Sequence, residues 1–322
     1  MSIASRTRSG SPQAVLTLVL GLTGLSMPAA SEPQSQSQTS RAKAVAEGGG
    51  RVVDMTAEQL LRYYPEELGI LKFSPDQGGL DSLLLKMGER VDAYFLNFPN
   101  TTSKESVLLE RMKANGKVEA SLRQDFDYLV IAAPDQGRTG FEEDRRERKD
   151  RRSKPPKLTG YCLTSGYTGI PILFQTRRQS GCSFRYLGRQ PSAPRAHVIA
   201  FAQRPESGNA IGSFRTNPEY KSTPLLYQGL IWVDPVTYQI TRLRVELLAP
   251  MPEIGLSGHT TEISFGEVHF ESLSQAFWLP QKVMVTIRWK GKTYRNLHRY
   301  SEFRLFTVKS FDKIEQPQVK GP

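Results

Sequence analysis

From residue 225 onward the chain reads as one strand after another, joined by turns too short to do anything but reverse it. Leu225–Val233 and Tyr238–Leu248 flank Asp234-Pro235-Val236-Thr237, with Asp at the first turn position and Pro at the second, as a type I turn prefers. Thr260–Phe270, Trp278–Lys290 and Lys292–Thr307 follow, the last two meeting at Lys290-Gly291-Lys292. Parallel neighbours need long crossovers, so these turns leave only antiparallel pairing. A meander of this length predicts a sheet that curls into a half or whole barrel.

The same pattern begins earlier. Glu105–Lys113 and Lys117–Ala132 flank Asn115-Gly116, a strong two-residue hairpin signal because both positions accept positive φ. Ser183–Leu187 and His197–Gln203 read as short strands, and Leu158–Phe174, with three glycines and Pro171, as irregular. Gln136–Lys157 is so highly charged, and ends in Pro155-Pro156, that an exposed loop is expected there.

Helical signals lie towards the N-terminus. Thr56 before Ala-Glu-Gln-Leu has the form of an N-cap and predicts a helix over 56–63, stopped before Pro65. Leu80, Leu83, Leu84, Met87, Val91, Tyr94 and Phe95 recur at steps of three and four, which predicts an amphipathic helix from Gly79 to Asn97. Such a helix serves to cover a sheet face. The expected fold class is α+β: a curled antiparallel sheet, an unclosed β-barrel, covered by N-terminal helices, with strand exceeding helix.

Upstream of the fold the sequence reads as an export signal. Arg6 and Arg8 precede an apolar run, Ala14–Met27, and Pro28-Ala29-Ala30-Ser31 then supplies small residues for cleavage. The run is shorter than the ~20 apolar residues a spanning helix needs. No cysteine follows it, which predicts no lipoprotein attachment. Residues 1–31 are therefore expected to be a signal peptide, with no transmembrane segment in the mature chain and a periplasmic or extracellular location. Residues 32–54, rich in Ser, Gln and Gly, are expected to be a disordered linker, and 311–322 a flexible tail.

A net charge of +11 raises the question of nucleic acid. The basic residues are scattered, however; the one cluster, Arg145–Lys154, has Glu142–Asp144 beside it, and no nucleic-acid-binding motif accompanies them. Nucleic acid is not an expected partner. Export gives the two cysteines meaning. Cys162 and Cys182 are spaced to close a disulfide loop in an oxidising compartment, the reading favoured here, with two free apolar thiols as the alternative.

Motifs for catalysis are missing. None of His197, His259, His269 and His298 sits in a metal-ligand spacing. Glu267, His269 and Glu271 share one face of a strand and are the best constellation for a metal or a general base, yet this face reads more simply as the solvent face, with Val268 and Phe270 inward. Gly255-Leu-Ser257-Gly-His259 lacks nucleophile-elbow spacing and reads as a loop, and Thr164-Ser165-Gly166 as a turn. The expectation is a non-enzyme with no metal and no cofactor. The aromatic residues, among them Tyr161, Tyr167, Phe174, Phe201, Tyr227, Trp232, Phe277 and Trp289, suit a concave lining for an apolar ligand or an ordinary packed core.

Gly229-Leu-Ile-Trp-Val-Asp-Pro-Val-Thr-Tyr-Gln-Ile-Thr-Arg242, then Thr261–Phe270 and Phe277-Trp-Leu-Pro280, follow the pattern G-x-x-W-V/I-D-P-x-T-x-x-I-x-R and F/W-x-x-P. Over residues 80–308 the chain thereby resembles the outer-membrane lipoprotein-carrier (lipoprotein-sorting) superfamily, and is similar to secreted proteins of acidobacteria. That resemblance implies a single half-barrel domain, here 55–310, with helices plugging its mouth, no catalysis, and lipid or lipoprotein acyl chains on the concave side. It assigns no ligand-binding residues, because the family's cavity is defined by shape. The expected function is an exported binding protein for a lipid or other apolar ligand. The alternative is an envelope module, structural or binding another envelope protein, whose barrel is filled by its own side chains.

Overall fold

In the computed structural model of the chain, residues 50–135, 138–148, 162–192, 194–208, 210–214 and 223–306 are described. The expected signal peptide, most of the linker and the tail lie outside these residues. The linker's last residues do not behave as one: Val52 and Val53 are buried, and Val52 N–H donates to Gln228 Oε1 at 2.8 Å, so the folded domain starts before Met55.

Eleven strands form one antiparallel sheet. They are β1 (Lys72–Phe73), β2 (Thr101–Met112), β3 (Val118–Asp135), β4 (Arg138–Glu147), β5 (Cys182–Gln190), β6 (Ala196–Gln203), β9 (Tyr227–Val233), β10 (Ile240–Leu247), β11 (Leu256–Val268), β12 (Phe277–Trp289) and β13 (Lys292–Leu305), while β7 (Gly212–Phe214) and β8 (Thr223–Leu225) pair separately. The order is β1-β5-β6-β9-β10-β11-β12-β13-β2-β3-β4, so the last strand returns beside the first long one and the sheet stays open at β1 and β4. Helices α1 (Ala57–Tyr63), α2 (Pro65–Leu68) and α3 (Leu80–Asn97) precede or interrupt it.

The turns form for the reasons their residues suggest. Asp234 Oδ1 accepts from the N–H groups of Val236 and Thr237 at 2.9 and 2.7 Å and from the Thr237 hydroxyl, and so closes the β9–β10 hairpin. Lys290 and Gly291 both have positive φ, 47° and 73°, the primed geometry that matches strand twist. Thr56 forms a full capping box with Gln59 at the start of α1.

Strand β9 is buried along its whole length, on both faces, and therefore needs a cover on each side. On the outer face Val52, Leu60, Tyr64 and Leu68 pack against Val198, Ala200, Leu230 and Trp232. On the concave face Leu83, Leu84, Met87, Val91 and Phe95 of α3 join a core with Phe174, Phe201, Tyr227, Ile231, Val245 and Val285. Trp232, expected in the concave lining, thus belongs to the outer layer, where the Arg242 guanidinium lies 4.5 Å from its ring centre.

Two expectations are corrected. Residues 138–147 are not a loop but strand β4, paired with β3 from Asp135↔Arg138 to Phe126↔Glu147. Its inward positions, Phe141, Glu143 and Arg145, are half-buried and alternate with exposed ones, and buried partners hold two of those charges. Likewise Leu256–His259 is not a loop but the start of β11, with Gly255 turning into it at φ 73°.

Gly229, which opens the G-x-x-W-V-D-P run, has φ 154°, and a Cβ there would lie 1.9 Å from the carbonyl oxygen of Arg244 on the neighbouring strand. Gly229→Ala is expected to lose roughly 3 kcal/mol or more through overpacking and backbone strain. A urea midpoint shifted by less than a third of that would show that the strands part without cost.

Candidate functional site

The concave side of the sheet divides into two halves of different chemistry. Strands β6 and β9 to β12 present a mostly apolar face to α3. Strands β13, β2, β3 and β4 present a buried polar network instead, because the successive inward residues Asn296, His298 and Tyr300 of β13 are polar and Tyr300 is paired with Glu105 of β2.

Glu105 is the hub. Arg145 reaches across from β4 and binds it through both oxygens, Nε to Oε2 at 2.5 Å and Nη2 to Oε1 at 2.8 Å. His298 Nδ1 and the Tyr300 hydroxyl reach Oε1 at 2.8 Å each. Burial alone would raise the Glu105 carboxyl, but the Arg145 guanidinium and His298 bring it down to about 2. The carboxylate is therefore ionised and fixes the tautomer of His298: Nδ1–H donates to Glu105, which leaves Nε2 to accept from the Tyr167 hydroxyl at 2.9 Å. Burial holds the His298 ring below its ordinary value, hence neutral.

The network's far end fastens a covering segment. Tyr167 also bonds Thr164, which accepts from Asn296 Nδ2 at 3.2 Å, and Gly166 N–H donates to Glu143 Oε2 at 2.6 Å. Residues 164–168 are so pinned over the polar half, and Ile170–Phe174, all buried, carries on over the apolar half to α3. There Gly88 lets the segment approach: a Cβ would meet Gln179 Nε2 at 2.5 Å, and Gln179 donates to the Leu84 and Phe174 carbonyls.

Helix α3 is held differently at its edges. Lys86 Nζ donates to the Tyr238 hydroxyl at 3.2 Å and Arg90 Nε to the Thr237 carbonyl at 3.0 Å, both exposed contacts on the turn after β9. Contacts of this kind contribute roughly 0–1 kcal/mol each. The apolar face of α3, not these bonds, keeps it in place.

Beside the C-terminal end of α3 the described interior leaves little free space. A recess by Phe98, Val130, Tyr167, Leu279, Tyr300 and Phe303 holds a cavity of about 10 Å³, scarcely room for one water. A cleft of about 250 Å³ lies by Asp76, Ser82, Lys86, Tyr186 and His197, at the N-terminal end of α3. A larger cleft, about 620 Å³, opens towards the outer face near Tyr64, Arg244, Glu246, Pro252, Arg288 and His259. There Arg244 pairs with Glu67 at 2.5 Å and Glu262 at 2.7 Å, and Tyr64 donates to Glu246 at 2.5 Å.

With this geometry in view, the chain can be compared with known proteins. No protein-family model and no curated protein matches its sequence. Among solved structures it is similar to an outer membrane lipoprotein-sorting protein domain from Vibrio parahaemolyticus, at 11% identity over 70% of this chain and 93% of that one, with a TM-score of 0.36. It is also similar to a DUF1329 family protein from Desulfovibrio piger, at 13% identity over 74% of this chain and 95% of that one, again with a TM-score of 0.36. The open half-barrel with a helix in its concavity is the arrangement the sequence resemblance implied, and it stands on the strand pairing itself.

The residues singled out in the sequence fall apart in space. His269 and Glu267 are 3.5 Å apart but 76% and 51% exposed, and Glu271 is exposed too; β11 ends at Val268, so His269 and Glu271 lie beyond it and the three do not share one strand face. Among the described residues no group of three or more His, Cys, Asp and Glu is placed to hold a metal. Cys162 and Cys182 are free, buried thiols, not the disulfide their spacing suggested: Cys162 lies near Tyr294 of β13, whereas Cys182 opens β5, several strands away. Burial pushes both thiols up to about 12. The hub residues Glu105, Arg145 and His298 carried no local motif. Their signal was a run of inward-phase polar residues in strands otherwise fit for a core.

Arg145→Met leaves a buried carboxylate unpaired and is expected to cost roughly 3–5 kcal/mol at neutral pH. Glu105 has a native value near 2 against 4.5 unpaired, so its stabilisation is full above 4.5 and lost as pH falls towards 2. His259, with a native value near 4 against 6.5, likewise loses stability as pH falls from 6.5 to 4, since only the unfolded chain takes up the proton. Urea midpoints against pH should fall in both windows, and Arg145→Met should flatten the lower one alone.

Proposed function

We propose that this chain is an exported, non-catalytic envelope protein that takes up a lipid or other apolar chain on the concave side of its half-barrel, with α3 as a displaceable stopper. The observation that carries this reading is the occupant of the concavity. The apolar half of the groove is covered by a separate amphipathic helix, joined to the turn after β9 by two weak exposed contacts, Lys86–Tyr238 and Arg90–Thr237, and to the covering segment through Asp92–Thr176, Tyr94–Thr168 and Leu84–Gln179. Swinging α3 outward would bare a continuous apolar surface from Ile199 to Ile287, while the Glu105 network keeps the covering segment 164–168 attached to the sheet. The signal-like residues 1–31 and the sequence resemblance to lipoprotein carriers support export and acyl-chain binding; the likeness to acidobacterial proteins rests on sequence alone.

A second reading has an observation of its own. The recess beside α3 holds only about 10 Å³, as an envelope module with a filled barrel would. The two readings differ in what purified protein carries and in what α3 does.

Native mass spectrometry of protein taken from its host envelope should show a lipid-sized adduct. Lys86→Ala with Arg90→Ala should speed uptake of a fluorescent fatty acid severalfold, in keeping with the loss of about 1 kcal/mol of rim contacts. Bare protein together with an uptake rate the variant leaves unchanged would favour the filled module.

A further inference from the structure

The apolar half of the concave face contains three polar side chains that lack a partner among the described residues. His259 and Thr261 point inward from β11, and Tyr227 from β9; all are nearly or fully buried, and the Tyr227 and His259 ring centres are 5.7 Å apart. His259 Nδ1, His259 Nε2, Thr261 Oγ1 and Tyr227 Oη each lack a hydrogen-bond partner. An unpaired buried polar group costs roughly 1–3 kcal/mol, and four gathered in one place are far from the usual sparse distribution.

We propose that Tyr227, His259 and Thr261 form a binding subsite for the uncharged, hydroxyl-bearing head of a single-chain lipid, a deepening of the reading above on which it rests. The row that holds Thr261 runs through Val245 to Gly229, which brings no side chain to that part of the groove. The cover over Tyr227 is the separate β7–β8 pair: Gly212 lies so close that a Cβ would sit 2.7 Å from the Tyr227 hydroxyl, and Phe214 packs towards Trp289. His259 also lines the 620 Å³ cleft, which brings solvent-side space up to the subsite's own strand.

The chemistry selects the head group. Burial brings His259 down to about 4 and Tyr227 up, with no charged neighbour contributing to either. A neutral imidazole has one donor and one acceptor, and each hydroxyl has both. Their complement is a neutral group that gives and takes hydrogen bonds, such as a glycerol hydroxyl. A carboxylate or phosphate would enter an apolar site with no counter-charge.

Calorimetric titration of the exported, full-length chain at neutral pH with monooleoylglycerol, methyl oleate and oleate tests this. Monooleoylglycerol should bind at least about tenfold more tightly than methyl oleate, the worth of one or two buried hydrogen bonds. Tyr227→Phe with Thr261→Val should erase that difference and leave methyl oleate unchanged. Without ligand the same variant should melt no lower than the parent, because it removes unpaired hydroxyls. A lower melting point would mean that these hydroxyls are held by a buried water and are structural, which overturns the subsite. Oleate binding as tightly as monooleoylglycerol overturns the uncharged head. Equal binding of monooleoylglycerol and methyl oleate overturns the subsite but spares the apolar groove, whereas no binding of any probe overturns both.

Discussion

An open sheet that is apolar on both faces cannot stand alone, and this requirement shapes everything else in the molecule. Strand β9 is the clearest case: Tyr227-Gln-Gly-Leu-Ile-Trp-Val233 is buried at every position. Even and odd residues of such a strand demand separate covers. The N-terminal turn and α1–α2 supply one, and α3 with the 164–174 segment supplies the other. Because the sheet does not close, the inner cover is a helix added from outside the strand order.

What was legible in the sequence was local. Thr56 with Gln59, Asp234 with Thr237, and the spacing from Leu80 to Phe95 each determine a structure within a few residues and are found where expected, whereas Asn115-Gly116 reverses the chain in the expected place through a longer, bulged loop in which only Gly116 of the two has positive φ. Strand β4 was not legible. Arg138–Glu147 is charged at seven of its ten positions and reads as solvent-loving. Its place in the sheet depends on Glu105, 40 residues away, to which Arg145 binds. Charge pairing across that distance leaves no periodic mark, since a buried ion pair looks in sequence like two surface residues. Trp232 misled for the opposite reason: a large aromatic in an all-apolar strand gives no hint of which face it takes, and a cation above its ring settled the matter.

The same reasoning explains why the candidate sites were missed. His298 and Glu105 lie 193 residues apart and meet because β13 returns beside β2. A buried ion pair with several further hydrogen bonds adds little net stability over an apolar filling but is very costly to break in part. It therefore acts as a clasp, all made or all lost. That suits the segment it holds, since Thr164, Gly166 and Tyr167 are all tied to this one network and would leave it together.

The two halves of the concavity handle polarity differently. On β13 and β2 to β4 the Glu105 network bonds most of the buried polar groups to one another, although Gln124 Oε1, Tyr128 Oη and Glu143 Oε1 lack a partner there, and the network ties the 164–168 segment to the sheet. On β9 and β11 three polar side chains have no partner among the described residues, and the small β7–β8 pair lies over Tyr227. Satisfied groups resist opening, because exposure would trade good bonds for water at best. Unsatisfied groups favour it, because any hydrogen-bonding partner that enters lowers their energy. On the proposed reading, entry of a hydrogen-bonding ligand would therefore be favoured above Tyr227, His259 and Thr261, where the Glu105 network does not reach.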